Sequence, residues 1–238
     1  MKILKFIIPL FLTASLSYSQ TPSYQVYKGD TINRVDSKGL KQGEWRKYYR
    51  TDTLYTRTIF KDDKPIGKAT TFYESGKLKA EVLFAVDGRK GTGISYYESG
   101  KVMARGNYYG QKKDSVWTYF NEVDSVKSIE VYKAGVATGT WKVYYDNGKL
   151  AEVKSYLNGK REGSYKQYND DGTLLVELVY KNDVEEGEMK LYHLDGKLKQ
   201  KGAYLNGDKN GEWYEYDTLG KQLTKITYKN GVQIEPKP

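Results

Sequence analysis

The stretch NGKLAEVKSYLNGKREGSY, residues 147–165, holds three phrases in order: Gly-Lys-Leu, Tyr-x-Asn-Gly-Lys and Gly-x-Tyr. Forty-eight residues on, DGKLKQKGAYLNGDKNGEWY, residues 195–214, says nearly the same. Such self-similarity is the signature of a repeat architecture. With a zero mark set at Gly43, equivalent marks stand at Gly67, Gly91, Ser115, Gly139, Gly163, Gly187 and Gly211, so each step is 24 residues. Five residues after each mark (+5) and seventeen after it (+17) the chain is aromatic in every unit, from Tyr48 and Phe60 to Tyr216 and Tyr228. The +9 place is Gly or Asp throughout, and +11 is Leu or Val except at Gln222.

Residue type turns these columns into structure. Asn-Gly and Asp-Gly tolerate positive φ, which tight hairpin turns demand. Between them lie segments of six or seven residues rich in Tyr, Val, Leu and Thr, which suit short strands. Glycine at every tenth residue or so opposes a helix. The fold class expected is all-β: an elongated, twisted antiparallel meander of about eight 24-residue β-hairpin repeats. Each unit reads as strand, tight turn at the +9 glycine, strand and a second turn, which gives roughly sixteen strands. The +5 and +17 rings are expected to supply the core by stacking on those of the next unit.

The ends differ from the array. Residues 1–19 carry Lys2 and Lys5, an apolar run from Phe6 to Leu12, and small residues before Gln20. This is the pattern of a secretory signal peptide, and its apolar run is too short to span a bilayer. Residues 20–42 read as a linker and an N-terminal partial capping repeat, 43–234 as the repeat array, and 235–238 as a tail. Pro236 and Pro238 discourage further strand pairing there. The localisation expected is export to the periplasm, outer membrane or exterior, with no transmembrane segment in the mature chain.

Composition narrows the chemistry. The chain has no cysteine and a single histidine, His193, so most metal sites and Cys/His nucleophiles are excluded. The formal charge of +9 is spread among interleaved acids and bases, with no basic patch of the kind nucleic acid needs. No paired carboxylates and no nucleophile or phosphate-cradling motif stand out. An enzyme is not expected, nor a cofactor, a metal or a nucleic-acid partner.

The phrases YLNGKREGSY, YLNGDKNGEW and GTWKVYYDNGKL resemble the MORN repeat, in the variant of bacterial YwqK-type antitoxin-component proteins. The resemblance covers about residues 33–234. It implies a β-hairpin repeat sheet and a binding or spacing module that serves protein partners or touches lipid. Ala69, Gly93 and Met189 depart from its Gly-x-Trp, and Ser115 replaces the glycine.

The site expected is a candidate binding ladder. Trp45, Trp117, Trp141 and Trp213 share the +2 column, and strand alternation would put Tyr49, Tyr73, Tyr97 and Tyr145 at +6 on the same face. Two uses stay open for these rings: stacking on a partner's apolar groups or sugars, or packing beside the next unit's turn. Turn lysines such as Lys77, Lys101 and Lys149 either line one edge for an anionic ligand or are simply solvated. The function expected is an exported, non-catalytic scaffold that binds a protein at the cell envelope. Alternatives are a binder of envelope glycan or anionic lipid, and an antitoxin-like partner of a toxin.

Overall fold

The computed structural model describes residues 21–234. They form 21 antiparallel strands in one open sheet, with no helix, and each strand pairs with its neighbours along the chain. The eight units supply the expected hairpins. The count exceeds sixteen for three reasons. Ser23–Tyr27 and Asp30–Val35 add a hairpin before the first mark, and Val232–Ile234 adds an edge strand after the last. Val136–Ala137 and Val184–Glu185 are split from the strands that follow them. The expected leader and tail lie outside the described residues. Among those described, no helix is long and apolar enough to cross a membrane.

The two sheet edges are built differently, and the difference corrects the sequence-based reading of the turns. The tight two-residue turn is the Asn-Gly at +19 and +20: Asn158 and Gly159 have φ of 52° and 85°. Both values are positive, as a type I′ turn requires. The +9 glycine instead closes a wider loop, in which Tyr145 N–H donates to Lys149 O at 2.8 Å and Gly148 N–H to Tyr145 O at 2.9 Å. Along the tight-turn edge the turn amides bind the preceding unit, as Gly159 N–H does at Ala137 O, 2.9 Å away, except in the second unit, where Gly88 N–H turns back to Ala85 O.

The mark residue has its own task. Gly163 sits at φ 90° in an irregular step where Lys154 pairs Tyr165 but Tyr156 pairs Arg161. Three residues of one strand there face one of the other, a bulge that needs left-handed backbone. Ser115 accepts the same conformation without being glycine, at φ 59°.

Register decides which aromatics share a face. Gly43 pairs Phe60 and Trp45 pairs Thr58, so the +2 and +17 side chains lie together. Rings confirm it: Trp141 lies 5.1 Å from Tyr132 and 4.6 Å from Tyr156, and Trp213 lies 5.2 Å from Tyr204. This inner face, not a +5/+17 combination, is the core. Trp117 and Trp213 are 3% and 2% exposed. The +5 rings occupy the outer face instead, where Tyr96 and Tyr192 donate to Glu81 and Glu177 at 2.9 and 2.8 Å.

A single sheet can bury a tryptophan only if something lies over it. Here a cation two residues before the mark does so. Lys113 Nζ stands 4.8 Å from the Trp117 ring and Lys209 Nζ 4.2 Å from that of Trp213, within cation–π range. The backbone beneath is pared down to match. A Cβ on Gly106 would lie 2.4 Å from Trp117, and one on Gly202 would lie 2.2 Å from Trp213.

Candidate binding surfaces

The eight residues expected to form one exposed ladder are divided by the structure. Trp117 and Trp213 belong to the core, and Trp45 and Trp141 are half-buried beside Phe60 and Tyr156. Trp117 and Trp141 donate their indole N–H to Asn107 O and Val131 O at 2.9 and 3.0 Å. The buried N–H of Trp45 and of Trp213 have no partner among the described residues.

The +6 residues are not on the tryptophan face, because +6 is the first loop residue and strand alternation has ended. Each phenol reaches forward to the next unit's +5 carbonyl: Tyr49 to Phe72, Tyr73 to Tyr96, Tyr97 to Phe120 and Tyr145 to Tyr168, at 2.7–2.9 Å. His193 makes the equivalent contact through Nε2 with Tyr216 O at 2.9 Å. The turn lysines do likewise. Lys77 donates to Glu98 O at 2.9 Å and Lys149 to Asp171 O at 2.8 Å. The loop edge is thus a row of inter-unit staples.

The inner face is interrupted by charge in the middle of the array. Glu152 and Lys154 point into it as an ion pair at 2.8 Å, and Glu130 accepts from Ser128 Oγ and the Tyr132 phenol at 3.0 and 2.6 Å. Burial, helped by Glu130, pushes the Tyr132 phenol up, and burial with Glu152 pushes Tyr165 up to about 12. These phenols therefore stay protonated donors at neutral pH. Among the described residues no group of three or more His, Cys, Asp or Glu is placed to hold a metal.

The outer face varies along the array. Near its ends, cross-strand ion pairs cover it: Arg57–Glu44 and Lys68–Glu81 at one end, Lys166–Glu177 and Lys225–Glu212 at 2.7 and 2.6 Å towards the other. Between them the outward positions are Thr92, Ile94, Val116, Thr118, Ile129, Val131, Thr140, Val153 and Ser155, with Arg105, Asn107 and Lys142. The one carboxylate beside them is Asp114, opposite Asn107; it accepts from Ala134 N–H at 3.0 Å, and among the described residues no ion pair crosses this strip. Val116 is 51% exposed and the adjoining Leu83 64%.

The repeat geometry agrees with a family comparison. The sequence model of the MORN repeat variant matches residues 65–85, 89–108, 137–158, 161–182 and 185–206. This is a MORN-repeat protein. Its first, fourth and eighth units lie outside the matched segments yet keep the +5 and +17 aromatics. MORN repeats are generally protein- or membrane-binding modules and generally non-catalytic. No curated protein matches the chain. Among solved structures, TcdB2-TccC3-TEV aligns at 15% identity and TM-score 0.22, over 83% of this chain and 13% of that one. A porin-like protein from Bacteroides uniformis ATCC 8492 aligns at 11% identity and TM-score 0.20, over 79% of this chain and 91% of that one. The MORN-repeat chain thus spans a small part of the first protein's length, and overlaps this loose carry no functional argument.

Proposed function

We propose that this MORN-repeat protein is an exported, non-catalytic scaffold that binds a protein at the cell envelope. The observation that carries the reading is the strip of the outer face that no ion pair crosses among the described residues. A surface position on a sheet is normally charged or polar; here exposed Leu83 and Val116 stand among β-branched neighbours, while ion pairs cover both flanks. Exposed apolar side chains gathered on one part of a sheet face mark an interaction site. Arg105 and Lys142 at the strip select a partner that brings apolar side chains together with a carboxylate. The Tyr49, Tyr73, Tyr97 and Tyr145 row forms the rim on the loop edge, and half-buried Trp45 and Trp141 serve the opposite face. Export rests on the leader pattern of residues 1–19.

A photo-cross-linking side chain at position 116 tests the docking surface in the native envelope, with position 201 on the ion-paired part of the same face as control. The expected result is one protein adduct at 116, absent at 201 and lost in Val131→Asp. Equal labelling at both positions would contradict the strip. Retention on purified envelope glycan or anionic lipid, removed by salt, would replace the protein partner by a surface polymer. N-terminal sequencing of the cell-fractionated protein checks export: a mature chain beginning at Gln20 is expected, and an intact Met1 in the cytoplasm would refute it.

A further inference from the structure

The repeat breaks at +2 in the second unit, where Ala69 stands in the tryptophan column. Where glycine leaves the inner face bare at Gly93, Gly106 and Gly202, a neighbouring ring fills the space: Tyr108, Trp117 and Trp213 in turn. At Ala69 the space stays open as a cavity of about 280 Å³. That is near the low end for small-molecule pockets, a size for a single ring rather than a polymer segment. Its apolar wall is Trp45, Phe60, Ala80 and Val82. The tight turn at Gly110–Gln111 reaches over the same face, and Gln111, at its second place with φ 110°, lines the cavity.

The polar lining is unspent. Thr56, Thr58 and Thr71 present hydroxyls, Gln111 a carboxamide, and Lys41 and Lys47 ammonium groups. Among the described residues none of these groups is held by a side-chain hydrogen bond or an ion pair. Lys41 Nζ is held 4.8 Å from the Trp45 ring and 5.1 Å from that of Phe60, so it offers an ordered positive charge. No carboxylate lines the cavity. Lys41 holds the same place two residues before the mark as Lys113 and Lys209, whereas Lys154, elsewhere on the inner face, meets the carboxylate of Glu152.

We infer that this cavity binds an acidic monosaccharide, a ring carrying several hydroxyls and one carboxylate. The threonine hydroxyls and the Gln111 carboxamide pair with ring hydroxyls, each of which both donates and accepts. The apolar wall takes the C–H face of the ring, and Lys41 and Lys47 take the carboxylate through charge-assisted bonds. A neutral sugar leaves the two cations unanswered, and a bare anion leaves the hydroxyls and the apolar wall unused. The pocket works independently of the strip on the outer face.

Calorimetric titration of the full mature chain with D-glucuronate, D-glucose and inorganic sulfate tests this. Glucuronate is expected to bind at least about tenfold more tightly than either of the others, the scale of one lost charged hydrogen bond. Lys47→Met and Thr58→Val are each expected to weaken it about three- to tenfold with an unchanged melting temperature. Ala69→Trp, which restores the column residue and fills the cavity, is expected to abolish it. Equal binding of sulfate would reduce the site to nonspecific anion attraction and overturn the saccharide. Glucuronate binding no tighter than glucose, or insensitive to Lys47→Met, would overturn the site itself.

Discussion

Side chains of equal hydrophobicity have unequal roles here, and substitution should expose the difference. Trp213 is packed between Tyr204 and Tyr228 under Lys209. Trp213→Ala is expected to cost roughly 3–5 kcal/mol in urea unfolding, the range for a buried aromatic. Exposed Leu219 on a loop should tolerate Leu219→Ser within about 0.5 kcal/mol. Tyr97→Phe removes the phenol bond to Phe120 O and should cost about 1 kcal/mol while leaving the ring in place. The +17 aromatics were readable as core from their constancy. The tryptophans were not, because sequence gives the parity of each strand but not how two strands face each other. That depends on register, set by the loop and by the irregular step where Val143 pairs Glu152 but Tyr144 pairs Leu150. By that register Glu152 and Lys154 point inward, where each satisfies the other.

At the scale of the hairpin, turns and cross-strand pairs carry separate tests. Gly159 closes its turn at φ 85°, so Gly159→Ala should destabilise by about 1 kcal/mol even where the added methyl has room. On the outer face, Lys68 with the Tyr96 phenol holds the Glu81 carboxyl below its usual range, and Lys166 with Tyr192 does the same for Glu177. Carboxyls depressed in the fold stabilise it above the ordinary carboxylate pKa, and the contribution fades as pH falls below about 4. Burial, with Glu152 and Glu177, pushes Tyr165 and Tyr192 up to about 12. Phenols raised in the fold stabilise it below their unfolded value of about 10, and that contribution is lost as pH climbs from about 10 to 12. The melting temperature should therefore show a plateau between these limits and fall on both sides. Loss on the acid side alone would mean that the phenols do not contribute. The existence of both turns was legible from glycine spacing. Their types were exchanged in that reading, since Asn-Gly and the +9 glycine look alike until the number of loop residues is known.

Over the described residues, the contacts linking units recur with the 24-residue period: turn amide to the previous unit's carbonyl, loop phenol to the next unit's carbonyl, and ring to ring as in Tyr132–Trp141 and Tyr204–Trp213. Stability in such an array is a sum of unit and neighbour terms. The period, strand class and open meander were therefore fully visible in the sequence. What was hidden is where the array departs from itself, at Ala69 and along the outer strip, because only packed neighbours show whether a small residue leaves a space or makes room. The most direct measurement compares two internal deletions by circular dichroism, thermal melting and small-angle scattering. Removal of residues 163–186 takes out one full period and should rejoin matching edges. The account predicts a folded β-sheet, a modestly lower melting temperature and a particle shorter by about 10 Å before twist, at two strand spacings of about 4.8 Å. Removal of residues 163–174 takes out half a period, brings unlike edges together and should prevent the array from closing up. Equal folding of both deletions, or equal failure, would contradict a sheet built from interchangeable 24-residue units.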